Sequence, residues 1–360
     1  MTTTKKCRAL IVDDSLAMCK FIEKVLSSDP DIEVVDYALD AYEARDKIKL
    51  YKPDVLTLDV EMPRMDGLTF LRNLMRLHPM PVVMISSLTA AGASVTLDAL
   101  RDGAVHFMVK RHPASTTELK EYTDEIIERV KNAAAVDMRR PTAKRTTSEL
   151  PDLTQYGQKV KSGKKFSADI HRLIAIGSST GGPEALHHFL QDLHPAQSSA
   201  LVFAQHMPKN FMNTFADRLN SWSSFDIQIA KQNEVIKPGM GYVAPGDQHL
   251  AVERQGGNYV CHLLSTEKVG GHRPSVDVLF NSVAKNSGDR ATGVLLTGMG
   301  DDGARGLTAM NKAGSLTVVQ DEKSSAVWGM PGSAYKMGGA DVALDLRAIG
   351  PALNNLLSAA

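Results

Sequence analysis

Apolar residues in the first part of the chain follow two alternating patterns. Short apolar runs predict strands at 9–12, 32–38, 55–59, 81–86 and 105–109. Between them, apolar residues recur at helical spacing, for example at Met18, Phe21, Ile22, Val25 and Leu26. Five strands that alternate with five helices predict a parallel, doubly wound sheet, a (βα)5 domain.

A second α/β pattern begins near residue 170. Apolar runs predict strands at 172–177, 200–206, 291–298 and 315–320, and helical patterns lie between them. Further strand-like segments at 239–247 and 258–264 indicate more antiparallel structure in the middle. We therefore predict a second doubly wound α/β domain.

The stretch between the two patterns has a different composition. Residues 131–165 contain nine Lys/Arg and three Asp/Glu, with little apolar periodicity. Such a stretch is typical of a basic, flexible linker. The predicted organisation is a first domain over 1–130, a linker over 131–168 and a second domain over 169–360.

Composition narrows the class of protein. The 360 residues suit two domains at about 150 residues each. Lys+Arg and Asp+Glu are both 41, and this zero balance argues against a dedicated nucleic-acid binder. The three cysteines show no CxxC spacing, the N-terminus lacks a signal-peptide pattern, and no apolar run reaches membrane-spanning length. We expect a cytoplasmic protein without membrane insertion.

Charged and hydroxyl residues follow four predicted strands of the first domain. Asp13 and Asp14 end the first strand, Asp59 the third, Ser86 the fourth and Lys110 the fifth. The carboxyl ends of the first and third strands converge in a doubly wound sheet, and crowded carboxylates repel unless a cation lies among them. Mg²⁺ suits such an oxygen site. The hydroxyl and the ammonium group could hold a phosphoryl group on Asp59, acting as a carboxylate nucleophile.

These segments resemble the receiver domain of two-component response regulators. The matching motifs are VDDS (12–15), LDVEMPRMDG (58–67), MISS (84–87) and GAVHFMVK (103–110). The resemblance implies Mg²⁺-dependent phosphorylation of Asp59. It also implies that Asp13 and Asp14 bind the metal, that Ser86 and Phe107 are the switch hydroxyl and the switch aromatic residue, and that Lys110 contacts the phosphate. In the family a proline usually follows the lysine directly, whereas Arg111 and His112 precede Pro113 here.

A glycine-rich turn opens the second domain. GSSTGG (177–182) lies between a predicted strand and a predicted helix, without the spacing of a dinucleotide or P-loop motif. A nucleophile elbow is the alternative, with Ser179 or Ser178 on the turn. A serine nucleophile needs a base and an orienting acid. His206 ends the next strand, and Asp301 and Asp302 follow the strand at 291–298.

The second domain resembles the catalytic domain of the CheB family of chemotaxis protein-glutamate methylesterases. The matching motifs are IGSSTGG (176–182), AQHMP (204–208), VAPGDQH (243–249), RPSVDVLF (273–280), LLTGMGDDGARGL (295–307) and QDEKSSAVWGMP (320–331). The resemblance implies that Ser179 is the nucleophile, that His206 is the general base and that Asp302 is the acid that orients His206. The backbone around Met299 and Thr180 is implied as the oxyanion hole.

The implied function is hydrolysis of glutamyl methyl esters on methyl-accepting chemoreceptors, with deamidation of receptor glutamines. A chemotaxis histidine kinase is the implied phosphodonor, and the first domain is implied to inhibit the second until Asp59 is phosphorylated. Mg²⁺ is expected only in the receiver, with no cofactor for ester hydrolysis. The alternatives are a phosphorylation-controlled receptor-binding scaffold, a nucleotide-binding output domain and a methylesterase serving a non-chemotaxis receptor array.

The other histidines receive structural interpretations. His187 and His188 are adjacent on a predicted helix and are expected to point in different directions on a solvated face. His249, His262 and His272 lack metal-ligand spacing. We expect structural roles for them, with pocket lining by His272 as the alternative.

Overall fold

The structure, a computed structural model, describes residues 6–86, 97–111, 113–136, 138, 153, 170, 172–194 and 198–358. The chain divides into two compact units, residues 1–139 and 140–360. Most of the linker predicted over 131–168 lies outside the described residues, as do Ser87 of the MISS motif and His112. The last helix of the first unit continues to Ala134.

The first unit is a five-stranded parallel sheet in the order β2-β1-β3-β4-β5. Its strands are β1 (Cys7–Val12), β2 (Ile32–Ala38), β3 (Val55–Asp59), β4 (Val82–Ser86) and β5 (His106–Val109). Its helices are α1 (Leu16–Leu26), α2 (Ala41–Tyr51), α3 (Gly67–Leu77) and α4 (Thr116–Ala134), and residues 97–101 are also helical. The predicted doubly wound fold is confirmed.

Short polar side chains begin these four helices. Ser15, Asp40, Asp66 and Ser115 each accept a hydrogen bond from a backbone N–H in the first turn. Such caps satisfy donors that the helix cannot pair internally. The residue at which each helix begins is therefore set by the polar side chain directly before it.

The second unit is built on a seven-stranded parallel sheet in the order β15-β14-β13-β6-β7-β10-β8. Its strands are β6 (Arg172–Ser178), β7 (Ser199–Gln205), β8 (Asp226–Ile229), β10 (Met240–Val243), β13 (Ala291–Leu295), β14 (Leu316–Gln320) and β15 (Val342–Leu344). Every residue of β6, β7, β13 and β14 is buried. Burial on both faces explains why these strands read as continuous apolar runs.

Helices connect the strands of this sheet. They are α5 (Gly182–Gln191), α6 (Lys209–Trp222), α7 (Val276–Asn286), α8 (Ala304–Lys312), α9 (Met330–Lys336) and α10 (Leu346–Ser358). The crossover from β6 to β7 and the crossover from β13 to β14 run in opposite directions along the sheet. Right-handed crossovers then place α5 and α8 on opposite faces.

A separate antiparallel sheet, in the order β11-β12-β9, accounts for part of the antiparallel content predicted in the middle of the domain, whereas β10, within the predicted segment 239–247, pairs in parallel with β7 and β8. It consists of β9 (Glu234–Val235), β11 (His249–Gln255) and β12 (Asn258–Leu264). The β11-β12 hairpin turns at Gly256 and Gly257, where φ is +58° and +89°. Two positive φ values in a two-residue turn explain why glycine occupies both positions.

The order of the parallel strands creates a topological switch point. The strand β6 lies between β13 and β7, and the chain leaves it toward β7 before returning to β13. Ligand sites of open α/β sheets lie outside the carboxyl ends of the strands at such a point. The ends of these three strands lead to Ser179, His206 and Asp302.

Candidate functional sites

The turn that carries Ser179 is fixed from both neighbouring strands. The Ser179 N–H donates to the carbonyl of Thr297 at 3.0 Å, and the Gly182 N–H donates to the Ser179 carbonyl at 2.8 Å. Gln205 accepts from the Ser178 hydroxyl at 2.6 Å, and its amide donates to the Ser179 carbonyl at 3.0 Å. A Cβ at Gly182 would lie 2.2 Å from Gln205 Oε1, so a side chain there would displace Gln205 from these contacts. Of the two candidate serines, Ser178 thus has its hydroxyl engaged in a hydrogen bond to Gln205.

His206 contacts Ser179 with one ring nitrogen and Asp302 with the other. Its Nδ1 lies 3.0 Å from Ser179 Oγ, and its Nε2 lies 2.7 Å from Asp302 Oδ2. An ionised carboxylate only accepts, so Nε2 carries the proton and Nδ1 is left to accept from the Ser179 hydroxyl. In the chymotrypsin arrangement the serine faces Nε2. Here the serine faces Nδ1 and the aspartate faces Nε2.

The carboxylate of Asp302 lies at the N-terminus of α7. Its Oδ2 accepts from the Val276 N–H at 2.7 Å, and its Oδ1 accepts from the Asp277 N–H at 3.0 Å and from the Ser275 hydroxyl at 2.8 Å. Burial alone would raise the pKa of Asp302, but hydrogen bonds from His206 and the helix outweigh it and lower the pKa to about 2. Asp302 is therefore ionised where His206 needs a negative partner.

The neighbouring Asp301 has a different environment. Its side chain is exposed and lies 3.7 Å from Arg305 Nη2, four residues along the chain. Of the two aspartates, the structure brings only Asp302 to His206.

The backbone groups predicted as an oxyanion hole flank Ser179. Thr180 follows it directly and is buried. Gly298, which precedes Met299, lies so close that a Cβ there would be 2.9 Å from Ser179 Cβ. Gly329 packs against the backbone at Met299, and a Cβ at Gly329 would lie 3.0 Å from Met299 Cα. Thr180 therefore adjoins the serine and Met299 follows a glycine that contacts it, and their role as an oxyanion hole stays a prediction.

Sequence reasoning underestimated His272. Its ring stacks on that of His206, with centroids 3.8 Å apart and planes 10° from parallel. It follows a tight turn at Gly270 and Gly271, where φ is +60° and +84°, and it bridges back to Val269. The pair Gly270 and Gly271, directly before His272 in the sequence, is the feature that could have predicted this turn.

The expectation for His187 and His188 was wrong in part. Their rings stack with centroids 5.4 Å apart, and His187 also contacts the Trp222 ring at 4.5 Å. His188 Nε2 lies 3.0 Å from Glu184 Oε1, one helical turn earlier. The two side chains lie together because His187 packs on α6, instead of pointing apart into solvent.

The acidic residues of the first unit converge as predicted from the strand order. Carboxylate oxygens of Asp13, Asp14 and Asp59 all lie within 4.8 Å of one another. Asp13 and Asp59 are buried, whereas Asp14 is exposed. Oxygen ligands so close together, at a partly open site, fit a hydrated Mg²⁺ ion.

Lys110 joins the two buried carboxylates. Its Nζ lies 2.8 Å from Asp13 Oδ2 and 2.7 Å from Asp59 Oδ2. Burial raises the pKa of Asp59 above its ordinary value, although Lys110 opposes this. Burial lowers the pKa of Lys110, but hydrogen bonds to Asp13 and Asp59 outweigh it and raise the pKa. The lysine therefore remains a cation facing Asp59.

Two further predicted residues lie on the strands beside this cluster. Ser86 is the last residue of β4 and is buried. Phe107 lies on the adjacent β5, is also buried, and its carbonyl accepts from Arg129 of α4 at 3.1 Å. Ser86 therefore lies on the strand next to β3, and Phe107 lies one strand further along the sheet.

Fold and site together define a class of protein. The second unit is an α/β domain with a serine, a histidine and an aspartate in hydrogen-bonded series at a topological switch point, and the first is a receiver-like domain with an acidic cluster. Of the helices in the described residues, none is long and apolar enough to cross a membrane.

Comparison with known proteins identifies the family. Residues 174–353 match the family model of the CheB methylesterase, and residues 9–123 match that of the response regulator receiver domain. A protein-glutamate methylesterase/protein-glutamine glutaminase of Xanthomonas campestris is 49% identical over 97% of both chains. One of Hydrogenovibrio crunogenus is 46% identical over 96% of this chain and 97% of that protein.

A solved structure shows the same relationship. The catalytic domain of the Thermotoga maritima CheB methylesterase is 34% identical, with a TM-score of 0.50, and covers 52% of this chain and 98% of its own. The chain therefore belongs to the CheB family of protein-glutamate methylesterases that carry a receiver domain.

Proposed function

We propose that this chain hydrolyses γ-glutamyl methyl esters on methyl-accepting chemoreceptors and deamidates receptor glutamines, with Ser179 as nucleophile. The supporting observation is the unbroken contact from Ser179 Oγ through the His206 ring to Asp302, at 3.0 and 2.7 Å. The names of the relatives supply the substrate class.

Ser179 Oγ attacks the ester carbonyl while His206 Nδ1 takes its proton. Asp302 stabilises the imidazolium that forms. Backbone N–H groups at Met299 and Thr180 hold the oxyanion, and one such donor contributes roughly 3–4 kcal/mol. His206 then returns the proton to the departing methanol, or to ammonia when the substrate is glutamine. Water, activated by His206, releases the receptor glutamate and restores Ser179.

Asp59 accepts a phosphoryl group from a chemotaxis histidine kinase. Asp13, Asp14 and Asp59 would hold Mg²⁺, which supplies charge neutralisation for the transfer. Lys110 contacts the phosphoryl oxygens because its ammonium group already faces Asp59 at 2.7 Å. Ser86 on β4 and Phe107 on β5 respond to the new charge, and phosphorylation raises the hydrolase activity.

The chain acts in the cytoplasm. Cys19 and Cys261 are buried thiols, and burial raises their pKa values to about 11 and about 12. Unreactive thiols of this kind fit a reducing compartment.

The test is methanol release from methylated receptor membranes of the same organism. Wild type is compared with Ser179→Ala, with and without Mg²⁺ and a small phosphodonor, and Ser221→Ala on the surface of α6 is the control. Release that requires Ser179 and rises with the phosphodonor supports the proposal. A well-folded wild type that releases no methanol would contradict it and favour a receptor-binding scaffold.

A further inference from the structure

Two buried side chains extend the hydrogen-bonded series beyond Asp302. The Ser275 hydroxyl donates to Asp302 Oδ1 at 2.8 Å, and the Ser275 N–H donates to His249 Nδ1 at 3.0 Å. The other nitrogen of His249 lies 3.0 Å from the carbonyl oxygen of Glu267. Both His249 and Ser275 are fully buried. The series therefore runs from the Glu267 carbonyl to Ser179.

The partners of His249 determine its proton. A backbone N–H can only donate, so Nδ1 accepts from Ser275, and a carbonyl can only accept, so Nε2 donates to Glu267. His249 is therefore a neutral imidazole in one defined tautomer. It holds the two ends of the segment 267–275 together, and this segment also contains His272.

The hydroxyl of Ser275 bonds more closely to Asp302 than to its own helix. As the N-cap of α7 it accepts from the Val278 N–H at 3.4 Å, whereas its bond to Asp302 Oδ1 is 2.8 Å. Together with the Asp277 N–H it occupies Oδ1, whereas Oδ2 accepts from the Val276 N–H and from His206. The orientation of the carboxylate thus depends on the N-terminus of α7, where Ser275 supplies a side-chain donor.

We propose that Ser275 and His249 are positioning residues for the esterase reaction, acting through Asp302. Ser275 fixes the rotation of the Asp302 carboxylate, and His249 fixes the backbone of Ser275. The inference rests on the proposed function of Ser179, His206 and Asp302. Neither residue touches the substrate, so their loss lowers kcat and leaves KM unchanged.

A matched set of variants of the full chain separates positioning from helix capping. Ser275→Gly keeps most of the capping stability because glycine is a tolerated N-cap, but it lacks the hydroxyl. Ser275→Thr restores the hydroxyl. Ser221→Ala, on the surface of α6, loses a hydroxyl that donates to the Arg218 carbonyl at 2.8 Å and does not contact Asp302. We expect Ser275→Gly to lower kcat roughly tenfold, the loss of a hydrogen bond to a charged group, with recovery in Ser275→Thr.

Two variants of His249 test its role as a positioning residue. His249→Asn keeps an acceptor for the Ser275 N–H, whereas His249→Leu keeps none. We expect His249→Asn to retain more of the wild-type kcat than His249→Leu. Equal kcat values in two folded variants would remove His249 from the proposal.

A spectroscopic readout tests the positioning without substrate. The proton between His206 Nε2 and Asp302 should give a far-downfield NMR signal, assigned by its loss in His206→Gln. We expect the signal to shift in Ser275→Gly and to stay in place in Ser221→Ala. An unchanged signal and kcat in Ser275→Gly would overturn the inference. A wild type that shows the signal but releases no methanol would instead contradict the proposed function.

Discussion

The imidazole of His272 lies flat on the imidazole of His206, with centroids 3.8 Å apart and an angle of 10° between the planes. The opposite ring nitrogens of His206 are held by Ser179 and Asp302, so the stack restrains the one remaining motion, tilting of the ring plane. The histidine that performs the proposed proton transfers is thus held along its edge and on its face.

Removing the stacked ring is expected to lower turnover. In His272→Ala the face of His206 loses its support, and we expect kcat to fall several-fold, because an aromatic stack is worth roughly 0.5–1.5 kcal/mol. His272→Phe keeps an aromatic face and should retain more activity. Steady-state kinetics with methylated receptors checks both variants. Identical kcat values in wild type and His272→Ala would contradict the restraining role.

The two adjacent aspartates should differ sharply on substitution. Asp302→Asn replaces an acceptor of the His206 Nε2–H by an amide and disturbs the tautomer, and the equivalent change in other triads costs about 10⁴-fold in kcat. Asp301→Asn is the matched control because Asp301 is exposed and lies near Arg305. Methanol release rates give the comparison. A larger loss in Asp301→Asn would show that the assignment of the acid is wrong.

Phosphoryl incorporation is expected to depend on the acidic cluster. With a radiolabelled small phosphodonor, wild type should incorporate phosphate in Mg²⁺ and lose incorporation in chelator, because three carboxylates within 4.8 Å need a cation to receive an anion. Asp59→Asn should abolish incorporation. The exposed Asp46 offers a control in Asp46→Asn, which should behave as wild type. Label on the Asp59→Asn protein would exclude Asp59 as the sole acceptor.

The stability of the second unit should fall at acid pH through Asp302. Hydrogen bonds lower its folded pKa from 3.8 to about 2, so its contribution is complete above the unfolded value and is lost as pH falls from about 4 to about 2. The lost contribution is about 2 kcal/mol. Urea unfolding followed by tryptophan fluorescence measures it, since both tryptophans, Trp222 and Trp328, lie in this unit.

Asp302→Asn provides the comparison for this pH dependence. The gap in unfolding free energy between wild type and Asp302→Asn should narrow over the same pH interval, because protonated Asp302 no longer has a charge to stabilise. A gap that stays constant from pH 5 to about pH 2 would show that the carboxylate is not stabilised in the folded state.

Local sequence was sufficient for most elements of the first unit and for the strands β6, β7, β13 and β14 around Ser179, but β8, β15, α6 and α10 were not predicted. Largely apolar runs such as 55–59 and 291–298 predicted strands because a parallel sheet buries both faces. Polar residues directly after those strands predicted the sites, since the carboxyl ends of parallel strands share an edge. Asp13 and Asp59 could thus be placed together from the strand order alone.

Pairwise geometry was decided only by the tertiary structure. The sequence order of Asp301 and Asp302 says nothing about which of them meets His206; the N-terminus of α7, some 25 residues earlier in the chain, selects Asp302 through its N–H groups. The exchange of ring nitrogens on His206 and the stack of His272 likewise depend on backbone paths that periodicity does not encode.

By itself, then, the sequence determined two α/β domains, the neighbouring position of the first and third strands and the residue types at several strand ends, because burial and helix capping act over short stretches of chain. The tertiary structure decided the hydrogen-bonded series from Glu267 to Ser179, because its members come from β11, the N-cap of α7 and the loops after β6, β7, β12 and β13. Contacts between residues so far apart in the chain form only when the whole sheet has assembled.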